Sequence, residues 1–444
     1  MIAAAVAVAF PAAPAAAAQP PIEVKPGNPF YPVIAAFIEG GPDYGSTLGG
    51  CVLRAFTTCP KAPLAGADLN GVTLPYSSLT GFDAAGASIG ASTLTGSRLQ
   101  RADFSNADAA ALVTAGANFR EADFGKADLT LGALADTDFR RADLHGSTLF
   151  IADVSGADLR NADLRNANFA GGLAAGADLR KADLRGANLT ITDLHRAELH
   201  GARLKGATYC NTIMPSGRVR NVRKQCEIPP VGPTTGPTYE IPPELPVYAA
   251  LKAFGKPPTP PGTEIHGCVI EPSTRCADAR LHKARIQGAF LSYAHLPHAD
   301  LTNADLTFGN LSYAHLPRAD LRSVVLVGAS GVGTGLHKAR LRRATLNLAD
   351  LVGTDLSDAT LNDADVQEAN LTDVDLRGAN LSRANLTSSA LTGADLRGAR
   401  LLGADLSDSI LAGAKVDRSF PAGATICNTI LPDGTMGNPQ PTCP

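Results

Sequence analysis

The chain has a five-residue period that runs through two long blocks of sequence. In residues 157–194 the unit is directly visible, as ADLRN ADLRN ANFAG GLAAG ADLRK ADLRG ANLTI TDL. We call the apolar fifth residue the centre, and centres run from Leu64 to Tyr209 and again from Leu281 to Ile426. Helices repeat every 3.6 residues and strands every 2, so neither explains this period. The period predicts a solenoid whose coils bury their inner sides against one another.

The two blocks have the same organisation. Each has 30 centres, of which 18 and 24 are Leu, and Ala stands two residues before 19 and 22 of them. A shift of 217 residues aligns the halves without a gap. We therefore expect a tandem duplication with a domain at 19–226 (repeats about 60–210), a proline-rich linker at 227–245 and a domain at 246–444 (repeats about 277–427).

The same shift superposes all eight cysteines, which flank the repeats. An even number at matched spacing favours structural disulfides, and the spacings do not fit a zinc finger. Four cysteines per half permit three pairings. We favour the local ones, in which sequence neighbours pair among Cys51, Cys59, Cys210, Cys226, Cys268, Cys276, Cys427 and Cys443.

Disulfides imply an oxidising compartment. Residues 1–18 include an apolar run of small residues that ends in an Ala-x-Ala-like site, as in a secretory signal, although basic residues are missing at its start. Pro11 and Pro14 interrupt the run, so we expect no membrane span. The sequence therefore predicts a secreted or cell-envelope protein, with a signal segment that is a truncated reading of a longer one.

Both ends of each repeat block need covering, because a stacked coil exposes unpaired backbone groups and an apolar core. The proline-headed segments 29–41 and 246–256 predict short N-terminal capping helices. The segments 210–226 and 427–443 contain Pro-Ser-Gly and Pro-Asp-Gly, which predict C-terminal hairpin caps. Small centres near Ala109 and the run GASGVGTG at 328–335 predict a loosened coil or bulge.

The A-[D/N]-L-x-x pattern resembles that of the pentapeptide repeat family, and the repeats cover about two thirds of the chain. The resemblance implies an all-β fold, here two right-handed quadrilateral parallel β-helices with four repeats per coil. Leu at the centre and Ala two residues earlier would point inward, and the other three positions outward. Asp or Asn before the centre would bond to backbone in the corner turns.

With four repeats per coil, residues 20 apart stack on one wall. One wall then carries a carboxylate column beside an arginine column. Either this face is a solvated set of salt bridges or it is a docking wall for a charged partner. Asp103, Asp123, Asp143, Asp163 and Asp183 would line another wall. The candidate partner wall consists of Asp138, Asp158, Asp178, Arg120, Arg140, Arg160 and Arg180.

The second half carries a different candidate, because SYAHLP occurs at 292–297 and again at 312–317. Stacked imidazoles beside aromatic rings could bind a metal or a ring-shaped ligand. No carboxylate or Cys in the same columns completes a coordination set, which favours ordinary exposed side chains. The candidate ligand residues are Tyr293, His295, His298, Tyr313 and His315.

The repeats show no nucleophile with a base and no paired acid and base in a pocket, so we expect no enzyme and no cofactor. We expect a non-catalytic exported scaffold whose walls meet an unknown protein or cell-envelope partner. The alternative is a DNA-mimicking gyrase modulator, as the resemblance to quinolone-resistance pentapeptide proteins implies. Charge opposes mimicry and nucleic-acid binding alike: residues 61–210 carry 17 acidic and 15 basic side chains, and residues 277–426 carry 16 and 15. Two rods side by side, imitating a homodimer, are a third possibility.

Overall fold

The computed structural model describes residues 22–24, 42–220, 239–241, 259 and 261–437. The chain divides into two compact units, one formed by Val24–Tyr239 and the other by Met1–Glu23 with Glu240–Pro444. Each unit contains one block of repeats, which we call the first and the second array. The expected signal segment at 1–18, and all of the linker at 227–245 except 239–241, lie outside the described residues.

Each array is a ladder of parallel bridges between residues 20 apart. The ladder runs from Thr58 and Ser78 to Asp193 and Ile213 in the first array. In the second array it runs from Arg275 to Ile430. Four repeats therefore make one coil of a parallel β-helix, as the resemblance to the repeat family implies. The bridges also continue through residues 328–335, so the backbone there has no bulge. The loosened coil that the sequence also predicted is present as a small apolar cavity beside Gly331.

Backbone hydrogen bonds between coils repeat at every position of the ladder. The amide of Leu64 donates to the carbonyl of Asp83 over 2.7 Å, and the amide of Asp83 donates to the carbonyl of Ala62 over 3.0 Å. Within a coil, the carbonyl of a centre accepts from the amide three residues later, as from Ala102 to Leu99 over 3.1 Å. Such turns close the corners of each coil.

Regular strands occur at the ends of the arrays. The strands are β1 Ile22–Val24, β2 Thr47–Leu48, β3 Cys51–Val52, β4 Thr212–Ile213, β5 Val219–Arg220, β6 Tyr239–Ile241, β7 Thr263–Ile265, β8 Cys268–Ile270, β9 Thr429–Ile430 and β10 Met436–Gly437. Four antiparallel hairpins pair β2 with β3, β4 with β5, β7 with β8 and β9 with β10, and β1 pairs with β6.

The predicted C-terminal hairpins are present, since β4–β5 and β9–β10 close around the Pro-Ser-Gly and Pro-Asp-Gly turns. The N-terminal hairpins β2–β3 and β7–β8 were not predicted. In β2–β3 a two-residue loop, Gly49 and Gly50, has both φ angles positive, at 54° and 76°, which suits a tight hairpin. The segments 29–41 and 246–256, where capping helices were expected, lie outside the described residues. The residues that the structure describes contain no helix, and hence none able to cross a membrane.

Disulfides fasten the N-terminal hairpins to the first coils. Cys51 bonds to Cys59 with their Cα atoms 5.5 Å apart, and Cys268 bonds to Cys276 with theirs 5.8 Å apart. These are two of the four local pairs that the sequence favoured. Cys210 and Cys427 are also disulfide-bonded, and their expected partners Cys226 and Cys443 lie outside the described residues.

The interior of each array is filled by the centres and the small residues two positions before them. In the first array, aromatic rings stack along neighbouring columns. The rings of Phe104 and Phe124 are stacked at 4.8 Å, and those of Phe119 and Phe139 at 5.5 Å. Phe82 and Ala84 exchange the usual roles of large centre and small neighbour, and both are fully buried. This swap conserves interior volume, which a close-packed core requires.

Candidate functional site

Each array has four walls, and every surface residue can be assigned to one of them. We number the walls 1 to 4 in chain order. Their first centres are Leu64, Leu69, Leu74 and Leu79 in the first array and Leu281, Ile286, Leu291 and Leu296 in the second, and each wall continues at every twentieth residue. The candidate partner wall is wall 4 of the first array.

Wall 4 of the first array carries a continuous ladder of ion pairs. Arg140 grips the carboxylate two residues before it with two bonds, Nε to Asp138 Oδ1 at 2.8 Å and an Nη to Oδ2 at 2.5 Å. Its Nε also lies 3.5 Å from Asp158 on the next coil. The same pattern recurs at Arg160 and Arg180, which reach the next coil at 3.3 Å and 3.1 Å. The geometry arises because each Asp bonds the backbone of its own corner and so faces its arginine.

The ion pairs lower the pKa values of carboxyl groups on these walls. The Arg180 guanidinium beside Asp178 holds the pKa of that carboxyl below its usual range. Arg185 does the same to the pKa of Asp183 on wall 1. The aspartates and the arginines of these ion pairs are therefore both ionised at neutral pH, and their charges largely compensate each other within the wall.

Arg120 is the exception among the predicted wall residues. Asn118 replaces the Asp of the other repeats, and the Nε of Arg120 instead lies 3.5 Å from Glu121. On wall 1, the predicted aspartate column is present as a line of bridges from Asp103 to Asp183. Two of these aspartates, Asp163 and Asp183, pair with the arginine two residues later.

The aromatic and imidazole pairs predicted in the second array do stack. The rings of Tyr293 and Tyr313 are 4.9 Å apart, and those of His295 and His315 are 5.1 Å apart and nearly parallel. His298 is not part of this stack, because its Nδ1 lies 3.5 Å from a carboxylate oxygen of Asp278. Asp278 lies 20 residues before His298, in a column that contains neither of the stacked pairs.

The His and Asp side chains do not converge further. Among the described residues, no group of three or more His, Cys, Asp or Glu side chains is placed to hold a metal ion. Another imidazole pair, His266 and His282, stacks at 6.1 Å beside a cavity of about 600 Å³ next to the Cys268–Cys276 disulfide. Sequence analysis missed this pair, because His266 lies in the hairpin before the repeats begin.

The family described as Pentapeptide repeats (8 copies) matches more than half of the sequence. The matched residues are 97–131, 117–150, 152–172, 175–208, 274–307, 299–330, 310–347, 339–378 and 379–418. These ranges fall within the two ladders of 20-residue coils. The chain belongs to the pentapeptide repeat family.

Solved structures of other pentapeptide repeat proteins are similar to it at low identity. HetL, involved in heterocyst differentiation regulation in the cyanobacterium Nostoc sp. strain PCC 7120, is 22% identical over 80% of this chain and 93% of its own, with a TM-score of 0.25. Full-length QnrB1, a plasmid-mediated fluoroquinolone resistance protein, is 18% identical over 33% and 93%, with a TM-score of 0.18. Rfr23 from Cyanothece 51142 is 25% identical over 34% and 90%, with a TM-score of 0.16. A search of curated proteins found no match.

Charge is unevenly distributed around the coils of this pentapeptide repeat protein. Of the 15 Lys and Arg residues in 61–210, all but Arg196 belong to repeats of walls 1 and 4. Of the 15 in 277–426, all but Arg285 belong to the same two walls. The net charge of a whole array hides this segregation, so sequence analysis missed it. Counting charge by position within the 20-residue coil would have found it.

Proposed function

We propose that this pentapeptide repeat protein is a non-catalytic, exported scaffold that presents the walls of its β-helices to a protein or cell-envelope partner. The segregation of cations to walls 1 and 4 of both arrays is the observation that carries the proposal. Two adjacent walls of each array carry almost all the cations, whereas the other two carry carboxylates and almost no cations. A fold that needed charge only for solubility would have no reason to place it this way.

The rigidity of the charged walls supports a recognition role. Every ladder aspartate is fixed by the backbone of its own corner, and its arginine is fixed by two bonds to that aspartate. Exposed pairs of this kind contribute little to stability, about 0–1 kcal/mol each. They do hold guanidinium groups in a regular array, and fixed groups lose less entropy on binding.

The state of the cysteines supports export. Cys51, Cys59, Cys210, Cys268, Cys276 and Cys427 are all in disulfides, and such bonds persist mainly in oxidising compartments. A thiol count on intact protein, before and after reduction, tests this part of the proposal. We expect no reactive thiols before reduction and eight afterwards, whereas eight reactive thiols in the native protein would contradict export.

Capture of partners from culture filtrate and from cell-wall extract tests the scaffold role. We compare the wild type with the Arg140→Ala/Arg160→Ala/Arg180→Ala variant, which removes the cations of the wall 4 ladder in the first array. The matched control is Arg377→Ala/Arg397→Ala, which removes the same kind of pair, to Asp375 and Asp395, from wall 4 of the second array. Loss of a partner with the first variant alone is expected, and unchanged capture would exclude this wall.

A further inference from the structure

The second array is polarised along its length. Its first 15 repeats, residues 277–351, contain nine Lys and Arg against five Asp, whereas residues 352–426 contain six Lys and Arg against ten Asp and one Glu. Five of the nine histidines of the chain also lie in the first of these segments. An array that is nearly neutral as a whole therefore has one basic and one acidic half.

The basic half contains a shallow cavity on wall 1 of the second array. It has a volume of about 350 Å³, within the range of ligand pockets. Three guanidinium groups and three neutral polar side chains line it, and none of the lining residues is aromatic. The lining residues are Thr302, Asn303, Arg322, Ser323, Arg342 and Arg343.

The arginines around this cavity exceed the carboxylates that could neutralise them. Arg322 binds Asp320 over 2.7 Å, and the same carboxylate also pairs with Arg340 at 3.4 Å. Arg342 lies 3.4 Å from Asp363, a carboxylate that is held more closely by Arg383 at 2.6 Å. Within the described part of the chain, Arg343 has no carboxylate within ion-pair distance. The cavity therefore retains positive charge that the wall 4 ladder of the first array does not.

The repeat does not require these arginines. At the positions 217 residues earlier, the first array has Ser105, Gly125 and Lys126 where the second has Arg322, Arg342 and Arg343. Both arrays form the same ladder with these different residues. The cavity is therefore a local feature of the second array rather than a consequence of the fold.

We propose that this cavity binds the carboxylate groups of an acidic polysaccharide, which rests on the proposed function and names a partner for the second array. The planar fork of arginine binds a carboxylate through two parallel bonds. Thr302, Asn303 and Ser323 supply hydroxyl and amide groups that can bond sugar hydroxyls. Arg322 and Arg342 lie one coil apart, about 4.8 Å along the axis, so a chain running along the wall meets successive cations. Single-stranded nucleic acids instead need aromatic platforms for their bases, and the cavity lining provides none.

Binding of polygalacturonate oligomers to the full chain, measured by calorimetry, tests the inference. We expect the Arg342→Ser/Arg343→Asn variant to bind about tenfold or more weakly, because both lost groups carry charge-assisted bonds. Arg377→Ser/Arg397→Ser removes the same amount of charge from wall 4 and should stay within about twofold of wild type. Affinity should also fall as salt rises from about 50 to 200 mM.

Three results would overturn the inference: no binding of the oligomers, equal losses in the two variants, or tighter binding of single-stranded DNA than of polygalacturonate. Circular dichroism and thermal unfolding of both variants establish that they are folded, and Asn suits position 343 because the φ of Arg343 is 58°. The partner-capture experiment separates this inference from the scaffold proposal. A captured partner without oligomer binding rejects the polysaccharide and retains the scaffold.

Discussion

At the scale of single residues, the coil depends on one unusual backbone conformation that recurs at every corner. The second residue after a centre lies in the left-handed region throughout the first array, as at Arg101, Gly116 and Asn161, with φ of 58°, 66° and 58°. Glycine and asparagine adopt this region readily, whereas β-branched residues do not. The position therefore favours residues by backbone conformation, and Ile151 and Ile191 are the two β-branched exceptions in the first array, with φ of 55° and 57°.

At Gly116 the energetic cost of the left-handed conformation can be measured without a steric clash, because a Cβ added there would meet no atom within 4 Å. We expect Gly116→Val to lower the free energy of unfolding by about 1–2 kcal/mol, the cost of a left-handed conformation. Gly116→Asn should cost clearly less, since Asn tolerates that region. Urea unfolding of both variants provides the comparison, and equal losses would show that the cost lies elsewhere.

Also at residue scale, the acid stability of the second array should depend on Asp363. A hydrogen bond from Arg383 lowers the pKa of Asp363 to about 2. Because the folded pKa lies below the unfolded value of about 3.9, the stabilisation is complete above that value and is lost as pH falls through 2. Asp363→Asn should be less stable at neutral pH and should lose less stability between about pH 4 and 2.

The reciprocal variant Arg383→Gln controls for this effect, because it removes the nearer of the two cations beside Asp363 and leaves the carboxyl group. Thermal unfolding measured across the acid range should show a shallower slope than the wild type in both variants. If both variants kept the slope of the wild type, Asp363 would not be the group that titrates. Asn suits position 363, where φ is 60°.

At the scale of elements, the ends of each array differ from its middle. An inner coil is paired with a coil on each side, whereas the first coil of the first array depends on the β2–β3 hairpin and the Cys51–Cys59 bond. The loop closed by this bond is short, and the chain-entropy model gives about 2–3 kcal/mol for it. In a solenoid, contacts are made only with neighbouring coils, so a loss at one end should remain local.

We therefore expect Cys51→Ser/Cys59→Ser to expose the first coil without unfolding the array. Hydrogen exchange should quicken at the amides of Phe56 and Cys59, which bond to the next coil at 2.9 Å each. The amides of Phe124 and Leu144, deep in the ladder, should keep their protection. Uniform loss of protection over the array would contradict local opening, and the Cys268–Cys276 bond of the second array is an internal reference.

At the scale of the whole molecule, the sequence predicts the coil well because every repeat carries the same information. The resemblance to the repeat family implies four repeats per coil, which places residues 20 apart in contact. It correctly predicted that Tyr293 stacks on Tyr313 and His295 on His315. Features that do not repeat were missed. The hairpin at His266 and Gly267 precedes the first centre of the second array. The positive charge around the cavity at Arg342 and Arg343 is hidden when charge is averaged over the whole array.

Salt bridges between the aspartate and arginine columns were one of the two interpretations of this wall. The assignment of Arg140 to Asp138 within one repeat was not predicted, because columns were compared between coils. A comparison of neighbouring residues within one repeat would have paired them. The Asp138 carboxylate accepts a hydrogen bond from the backbone amide of Arg140, and this bond places it beside the Arg140 side chain. This matters for function, because a carboxylate held by its own arginine contributes little to the field seen by a distant partner.

The charge of the whole molecule makes a specific prediction about DNA mimicry. DNA carries one negative charge per about 1.7 Å of axis, whereas each array has a net charge near zero and the ladder aspartates are paired. We expect submicromolar protein to leave supercoiling by DNA gyrase unchanged. Dose-dependent protection of gyrase by the wild type would contradict this.

The Arg140→Ala/Arg160→Ala/Arg180→Ala variant identifies the cause of such a result. It removes three cations from wall 4 of the first array and leaves Asp138, Asp158 and Asp178 fixed by their corner turns. If paired charge is what prevents mimicry, this variant should inhibit supercoiling by gyrase more strongly than the wild type does. The difference between the two proteins should shrink as salt rises. Inactivity of both proteins at low salt would mean that shape, and not only charge, excludes this chain from the DNA site.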